Sequence, residues 1–454
     1  MPNFAQILQL NLFLFLAIVI FCFIGSFALP FTSRFLPKWI QIIIAGACIV
    51  IAIFRLEFLL SISRSISIIT LIAGSFFGAI YLYKNKTMLE KIYLNKLAAI
   101  FILASTGFSA IFFNDAVFIR HIGPDLEGYL LSSAYQESGG NYNSLIQSFM
   151  QTSQGSKRWY ELINSWGIPD FRTAVSVEFF LRAARFGFQG LSVFFSKVFQ
   201  VPIWFGHIEA MFFSTLISAL IIDHILKVNF KKINTYIRFI LLFGFIYSPY
   251  FLIMYFESIH AQLISMGFYI FIFYFLYRCI SNQIPWQKMV LPSLVLSTAG
   301  TIFGEGIQII GFSIVSSIIL LSIIRFIPTT TNHRRDMLNN QIKNLFALGI
   351  GCLLIDPLYS LVFLGWTYKS IIQGFAGGAL HIPTMPILYF FPAFIIENID
   401  QTTLVFRNYR NLIEYNFLQW IFILTIPLIY FLKNKKNLLF FLFSRIYSSI
   451  SIRQ

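Results

Sequence analysis

Residues 8–29 read LQLNLFLFLAIVIFCFIGSFAL, a stretch with no charged side chain. As a helix it is long enough to cross about 30 Å of hydrocarbon. No basic segment precedes it and no small-residue cleavage site ends it, so a retained membrane helix is expected rather than a leader. Similar runs recur along the 454 residues, which are 57% hydrophobic and 11% charged, with a mean hydropathy of +0.76. Soluble domains carry about 25% charged residues, so a soluble core does not account for this composition. Phe supplies much of the apolar mass. Cys22, Cys48, Cys279 and Cys352 lie in or at the ends of apolar runs, without metal-ligand spacing.

The expected fold is an all-α polytopic integral membrane protein. Spans are read near 8–29, 39–54, 65–83, 94–113, 201–226, 236–256, 261–280, 290–303, 306–327, 345–365 and 416–432, about eleven transmembrane helices. Residues 385–396 form a shorter apolar run, read as re-entrant or interfacial. Three regions follow: N-terminal spans (1–113), one large loop (114–200) and a C-terminal bundle (201–454). The net charge of +15 does not point to nucleic acid, because the bases cluster between spans. Lys84, Lys86, Lys91 and Lys96 share one connection. Lys227, Lys231, Lys232 and Arg238 sit in or beside a second, and Arg278 and Lys288 in a third. Two more groups, Arg325 to Lys343 and Lys433 to Lys436, continue the series on every second connection, as the positive-inside rule requires. Arg55 and Arg64 dissent. This scheme makes loop 114–200 extracytoplasmic, in a multi-pass protein of the bacterial inner (cytoplasmic) membrane.

The loop is not a linker. Asp170 can cap a helix after Pro169, and 171–199 then reads as one amphipathic stretch, with Glu178, Arg182 and Arg185 on one face and Val175, Phe179 and Ala183 on another. Such a helix would lie along the membrane surface or cover the bundle. No internal repeat is visible.

Acids and imidazoles gather on the same outer side. Asp115 ends the fourth span, and Asp125 and Glu127 follow a Gly-Pro turn. FGHIEAMFF brings His207 and Glu209, YFESIHAQ brings Glu257 and His260, and FGEG sets Glu305 between glycines. Each has a plain structural alternative: Asp115 can terminate a helix, Asp125 can be an N-cap, Glu127 can be a solvated charge, and Glu257 with His260 can be a local pair. His207 and Glu209, two residues apart, point to different helix faces. Asp356 before Pro357 marks either a kink or a polar pocket. The pairs Gly74–Gly78 and Gly300–Gly304 suit close helix packing. As a set, the acids match sugar transfer from a lipid phosphate. An acceptor hydroxyl must lose a proton to a base while a phosphate leaving group is stabilised, by a guanidinium such as Arg120 or Arg182 or by a divalent metal. No Walker loop, dinucleotide fingerprint or nucleophile elbow occurs.

Segments NDAVFIRHIGPDLEGYLLSSAYQ (114–136) and PDFRTAVSVEFFLRAARFG (169–187), within this many-span layout, resemble the GT-C class of polytopic glycosyltransferases, which use lipid-linked sugars. The resemblance implies a polyprenyl-phosphate sugar donor and an extracytoplasmic glycan, lipid or protein acceptor. It makes Asp125 or Asp115 the catalytic base and Glu127 a helper or, with Asp125, a metal ligand. Glu257, His260, Glu305, His207, Glu209, Arg120 and Arg182 would bind substrate. Two departures stand out: three further spans precede the one leading into the loop, and Leu126 interrupts the tandem acidic pair of the class. A surface-polysaccharide polymerase or ligase is a competing expectation. So is a transporter or flippase of lipid-linked glycans, which would place charged residues deep in several spans. Donor sugar, acceptor and oligomeric state stay open.

Overall fold

The computed structural model describes residues 4–85, 133–141, 144, 187–230, 234–246, 260–281, 284–302, 332–357 and 360, with scattered positions between 310 and 325. Every regular element among them is helical. In chain order these are α1 (Phe4–Gly25), a 3₁₀ turn (Ser26–Phe31), α2 (Lys38–Leu60), α3 (Arg64–Lys84), α4 (Gly187–Phe199), α5 (Ile203–Asn229), α6 (Thr235–Ile246), α7 (His260–Ser281), a second 3₁₀ turn (Trp286–Met289), α8 (Val290–Ile302) and α9 (Asn332–Ile355). Residues 239–246 belong to a second compact unit, and the other described residues to the first.

Four stretches, Leu8–Phe31, Lys38–Leu60, Arg64–Lys84 and Ile203–Asn229, are long and apolar enough to cross a membrane. The chain is a helical membrane protein. Expected spans 94–113 and 416–432 lie outside the described residues, and 306–327 is described only at scattered positions, so the count of eleven reaches beyond the described part.

Prolines set several helix starts. Pro37 and Pro202 lack an N–H to lose, and their carbonyls accept the first helical bonds, from Ile40 (3.0 Å) and Gln41 (3.3 Å) and from Phe205 (2.9 Å) and Gly206 (3.1 Å). Ser61, at φ 53°, turns the chain out of α2 in the left-handed conformation, and the Ile62 N–H closes back on the Glu57 carbonyl at 3.0 Å.

In lipid, helices gain little by hiding apolar surface from one another, so close backbone approach and interhelical hydrogen bonds hold the bundle. The α1–α2 crossing shows this. A Cβ on Gly46 would overlap the Phe21 carbonyl, and one on Gly25 would overlap the Ile42 carbonyl. At α3, Gly78 leaves no room above the Phe23 carbonyl, and Ser26 Oγ donates to the Gly78 carbonyl at 3.1 Å. The expected close packing therefore falls on Gly78, whereas Gly74 has only Ile24 Cγ1, at 3.8 Å, near its Cβ position. Between α5 and α7, Ser214 Oγ donates to the Leu263 carbonyl (3.0 Å) and accepts from the Gly267 N–H (3.1 Å).

Two elements differ from the sequence reading. The described part of the expected amphipathic stretch, 187–199, is no surface or covering helix: Gly187 to Ser196 are all buried, with α4 wedged among α2, α5 and α8. A Cβ on Gly190 would come within 3.1 Å of the Ile51 carbonyl oxygen, and one on Gly206 of α5 would overlap the Ser192 carbonyl. Phe194 and Phe199 stack toward α1, with centroids at 5.0 Å from Phe21 and 4.8 Å from Phe13. The small residues Gly187, Gly190, Ser192 and Ser196 carried that signal, which the charge pattern of 171–185 masked. The second difference is α9, which starts at Asn332 and takes in Arg334, Arg335 and Lys343, assigned above to a connection. It stops at Ile355, before Asp356-Pro357.

Replacing Gly46 by Ala is expected to destabilise the detergent-solubilised protein by about 1–3 kcal/mol or more, because the new methyl meets backbone that cannot rotate away. Gly74→Ala is expected to leave stability unchanged. Equilibrium unfolding of the two variants side by side measures the contrast.

Candidate functional site

Of the residues singled out from sequence, Asp115, Arg120, Asp125, Glu127, Arg182, Glu257 and Glu305 lie outside the described residues. His260 opens α7, and its side chain is likewise outside the description. His207 and Glu209 are described, and both are completely buried in the first turns of α5 instead of sitting on an exposed rim. His207 Nδ1 lies 3.4 Å from Ser192 Oγ, and its ring meets the Phe188 ring edge-on at 4.8 Å. Neither Glu209 carboxyl oxygen has a hydrogen-bond partner among the described residues.

The polar side chains that do meet form a network at the end of the bundle where α2 leaves and α3 begins. Arg55 pairs with Asp356 across 301 positions of sequence, which assigns Asp356 to an ion pair at the break in α9. Arg64 Nε donates to Glu57 Oε1 at 3.1 Å, and its terminal nitrogens donate to the backbone carbonyls of Gln136 and Glu137. Gln136 Nε2 donates to the Phe54 carbonyl at 2.8 Å. Glu137 accepts from Ser196 Oγ (2.5 Å) and faces Lys197 Nζ (3.4 Å). Three bases and three acids thus balance. The contacts of Arg64, Gln136 and Glu137 fasten the short helical segment at 133–137 onto α2, α3 and α4. The loop continues through Gly139, at φ 94°, a backbone conformation that favours glycine.

Arg55 and Arg64, the two bases that break the alternation of charge in the sequence, are both held in this network. Each is neutralised inside the protein by an acid or by backbone carbonyls.

The opposite end is different. The turn after α1 is held by Gln41, whose amide bonds Ser33 N–H (2.9 Å), the Ser33 carbonyl (2.8 Å) and the Leu36 carbonyl (2.6 Å). The Phe35 carbonyl accepts from Tyr274 Oη (3.2 Å) and meets His224 Nε2 (2.6 Å), while the Arg278 guanidinium lies 5.8 Å from the Phe35 ring centre and 5.5 Å from that of Tyr274. Arg34, Lys38, Lys84, Lys227, Arg238, Arg278, Lys288 and Lys343 all belong to this end. The described acids there are Asp223, bound to Arg238 at 2.5 Å, and Asp336.

Among the described residues no three of His, Cys, Asp and Glu come together as a metal site. Asp125 and Glu127, the pair named for a metal from sequence, are not among them. No family model matches the chain, and neither a curated protein nor a solved structure is significantly similar to it.

The Arg55–Asp356 pair is expected to behave as a buried ion pair. Asp356→Asn alone should cost about 3–5 kcal/mol, because it strands the guanidinium, whereas Arg55→Met combined with Asp356→Leu should restore most of that loss. A double-mutant cycle on unfolding free energies checks it.

Proposed function

We propose that the chain is a membrane glycosyltransferase that moves a sugar from a polyprenyl-phosphate donor to an acceptor at the face opposite the basic end. The observation that carries this reading is the unlike character of the two ends. The end with excess Lys and Arg suits the cytoplasmic surface and its anionic lipids. At the other end the described acids and bases pair with one another and fasten the segment that follows the HIGPDLEGYL acids. Ser133 comes six residues after Glu127, which extended backbone spans in at most about 20 Å.

In this reading Asp125 or Asp115 accepts the proton of the acceptor hydroxyl as its oxygen attacks the anomeric carbon. The bond to the donor phosphate breaks, and the polyprenyl phosphate leaves with the electron pair. Arg120 and Arg182 steady the phosphate. Glu127, Glu257, His260 and Glu305 remain proposed as helper and substrate-binding groups.

A transporter or flippase of lipid-linked glycans is the second reading, and one observation favours it. Ionisable groups inside a span are the mark of an ion or substrate path, and Glu209 is such a group. Purified enzyme in detergent distinguishes the two, because transfer needs no sealed compartment and transport does.

With membrane preparations supplied with polyprenyl-phosphate sugar, at least one of Asp125→Asn, Glu127→Gln and Asp115→Asn is expected to lower transfer by about a hundredfold or more while protein levels hold. Parental rates from all three variants, each present in the membrane at normal amount, defeat the catalytic assignment.

A further inference from the structure

Glu209 is the one buried acid among the described residues whose carboxyl has neither an ion pair nor a hydrogen bond there. One consideration is its place in the helix. Phe205, Glu209 and Phe213 recur every four residues and share a face of α5. Phe205 meets Phe13 of α1 at 6.2 Å and Phe213 meets Phe21 at 4.9 Å. Phe13, Ala17 and Phe21 form the matching stripe on α1, so Glu209 lies level with Ala17, itself fully buried, between two aromatic rungs.

The other consideration is charge. A carboxylate buried away from water without a counter-charge costs several kcal/mol, so some positive species must accompany it. The ionisable side chains on the elements packed against α5 are engaged or placed elsewhere. Lys197 of α4 is held by Glu137, while on α2 Arg55 is held by Asp356 and Glu57 by Arg64. Lys38 and Arg278 lie at the far end beside Phe35 and His224. His207 turns to Ser192 and Phe188. The remaining candidates, Cys22, Cys48, Cys279 and the tyrosines of α7, supply no positive charge, and the His260 side chain lies outside the described residues.

We propose that Glu209 is a cation-binding carboxyl inside the bundle, taking up a proton or a monovalent cation from solution. The flanking rings favour a cation over an added anion. The site is separate from the sugar-transfer reading and stands whether or not that reading holds.

The test uses the full-length protein in detergent and dicyclohexylcarbodiimide, which adds to carboxyl groups carrying their proton. Mass spectrometry locates the adduct. The expected result is an N-acylurea on Glu209 that is absent from Glu209→Gln and falls roughly tenfold per pH unit above its midpoint. If the partner is the proton alone, NaCl and KCl act alike at constant pH. If Na⁺ competes, NaCl protects Glu209 and KCl does not. A second measurement compares thermal unfolding of the parent and Glu209→Gln across pH and Na⁺, since a cation bound only by the folded state raises its stability. An adduct on Glu209, or cation-dependent stability that the variant lacks, supports the site. No adduct between about pH 5 and about pH 9, with identical stability profiles for the two proteins, overturns it.

Discussion

Backbone meeting backbone at glycine is the contact from which the described bundle is built. At Gly25 and Gly46 no side chain separates α1 from α2, and at Gly78 and Gly206 the same economy admits α3 and α5. Lipid chains are as apolar as the helix faces, so apolar burial alone gives no reason for one helix to prefer another. Dispersion over a close crossing does, and it fixes which faces touch. Once α1 and α2 are locked, Phe21 is directed toward Phe194 and Phe213, and the aromatic packing around α4 follows.

The polar contacts add direction to this packing. A hydroxyl or amide inside the bundle has few partners, and each one found ties a specific pair of helices. Ser214 settles against the backbone of α7, Ser293 Oγ donates to the Leu348 carbonyl at 3.2 Å, and Asn344 Nδ2 donates to the Ile284 carbonyl at 2.9 Å. At the neutral end, ion pairs do the same across longer stretches of sequence. At the basic end, carbonyl acceptors and aromatic faces engage Lys288 and Arg278, and the described Lys and Arg outnumber the described acids Asp223 and Asp336. That asymmetry separates the two ends more sharply than any one helix boundary.

Glu209 stands outside both schemes. Neither of its oxygens has a hydrogen-bond partner among the described residues, and Phe205 and Phe213, one turn to either side on its face of α5, pack on Phe13 and Phe21 of α1. A residue costly to keep and without a packing purpose is the sort that function retains. This is why it bears on both the transport reading and the proposed cation site.

The sequence by itself determined that the chain is helical, with apolar runs long enough to cross a membrane, since such runs are written in neighbouring residues. It also marked Glu209, His207 and Asp356 as chemically unusual, without revealing their surroundings. Only the tertiary structure decided that α4 enters the bundle, that Gly78 and not Gly74 makes the tight contact, that Arg55 meets Asp356, and that Glu209 is completely buried. The physical reason is one of range. Periodicity and capping report on residues a few positions apart, whereas these contacts join segments tens to hundreds of positions apart. Their partners are chosen by the fit of helix surfaces, which no local pattern encodes.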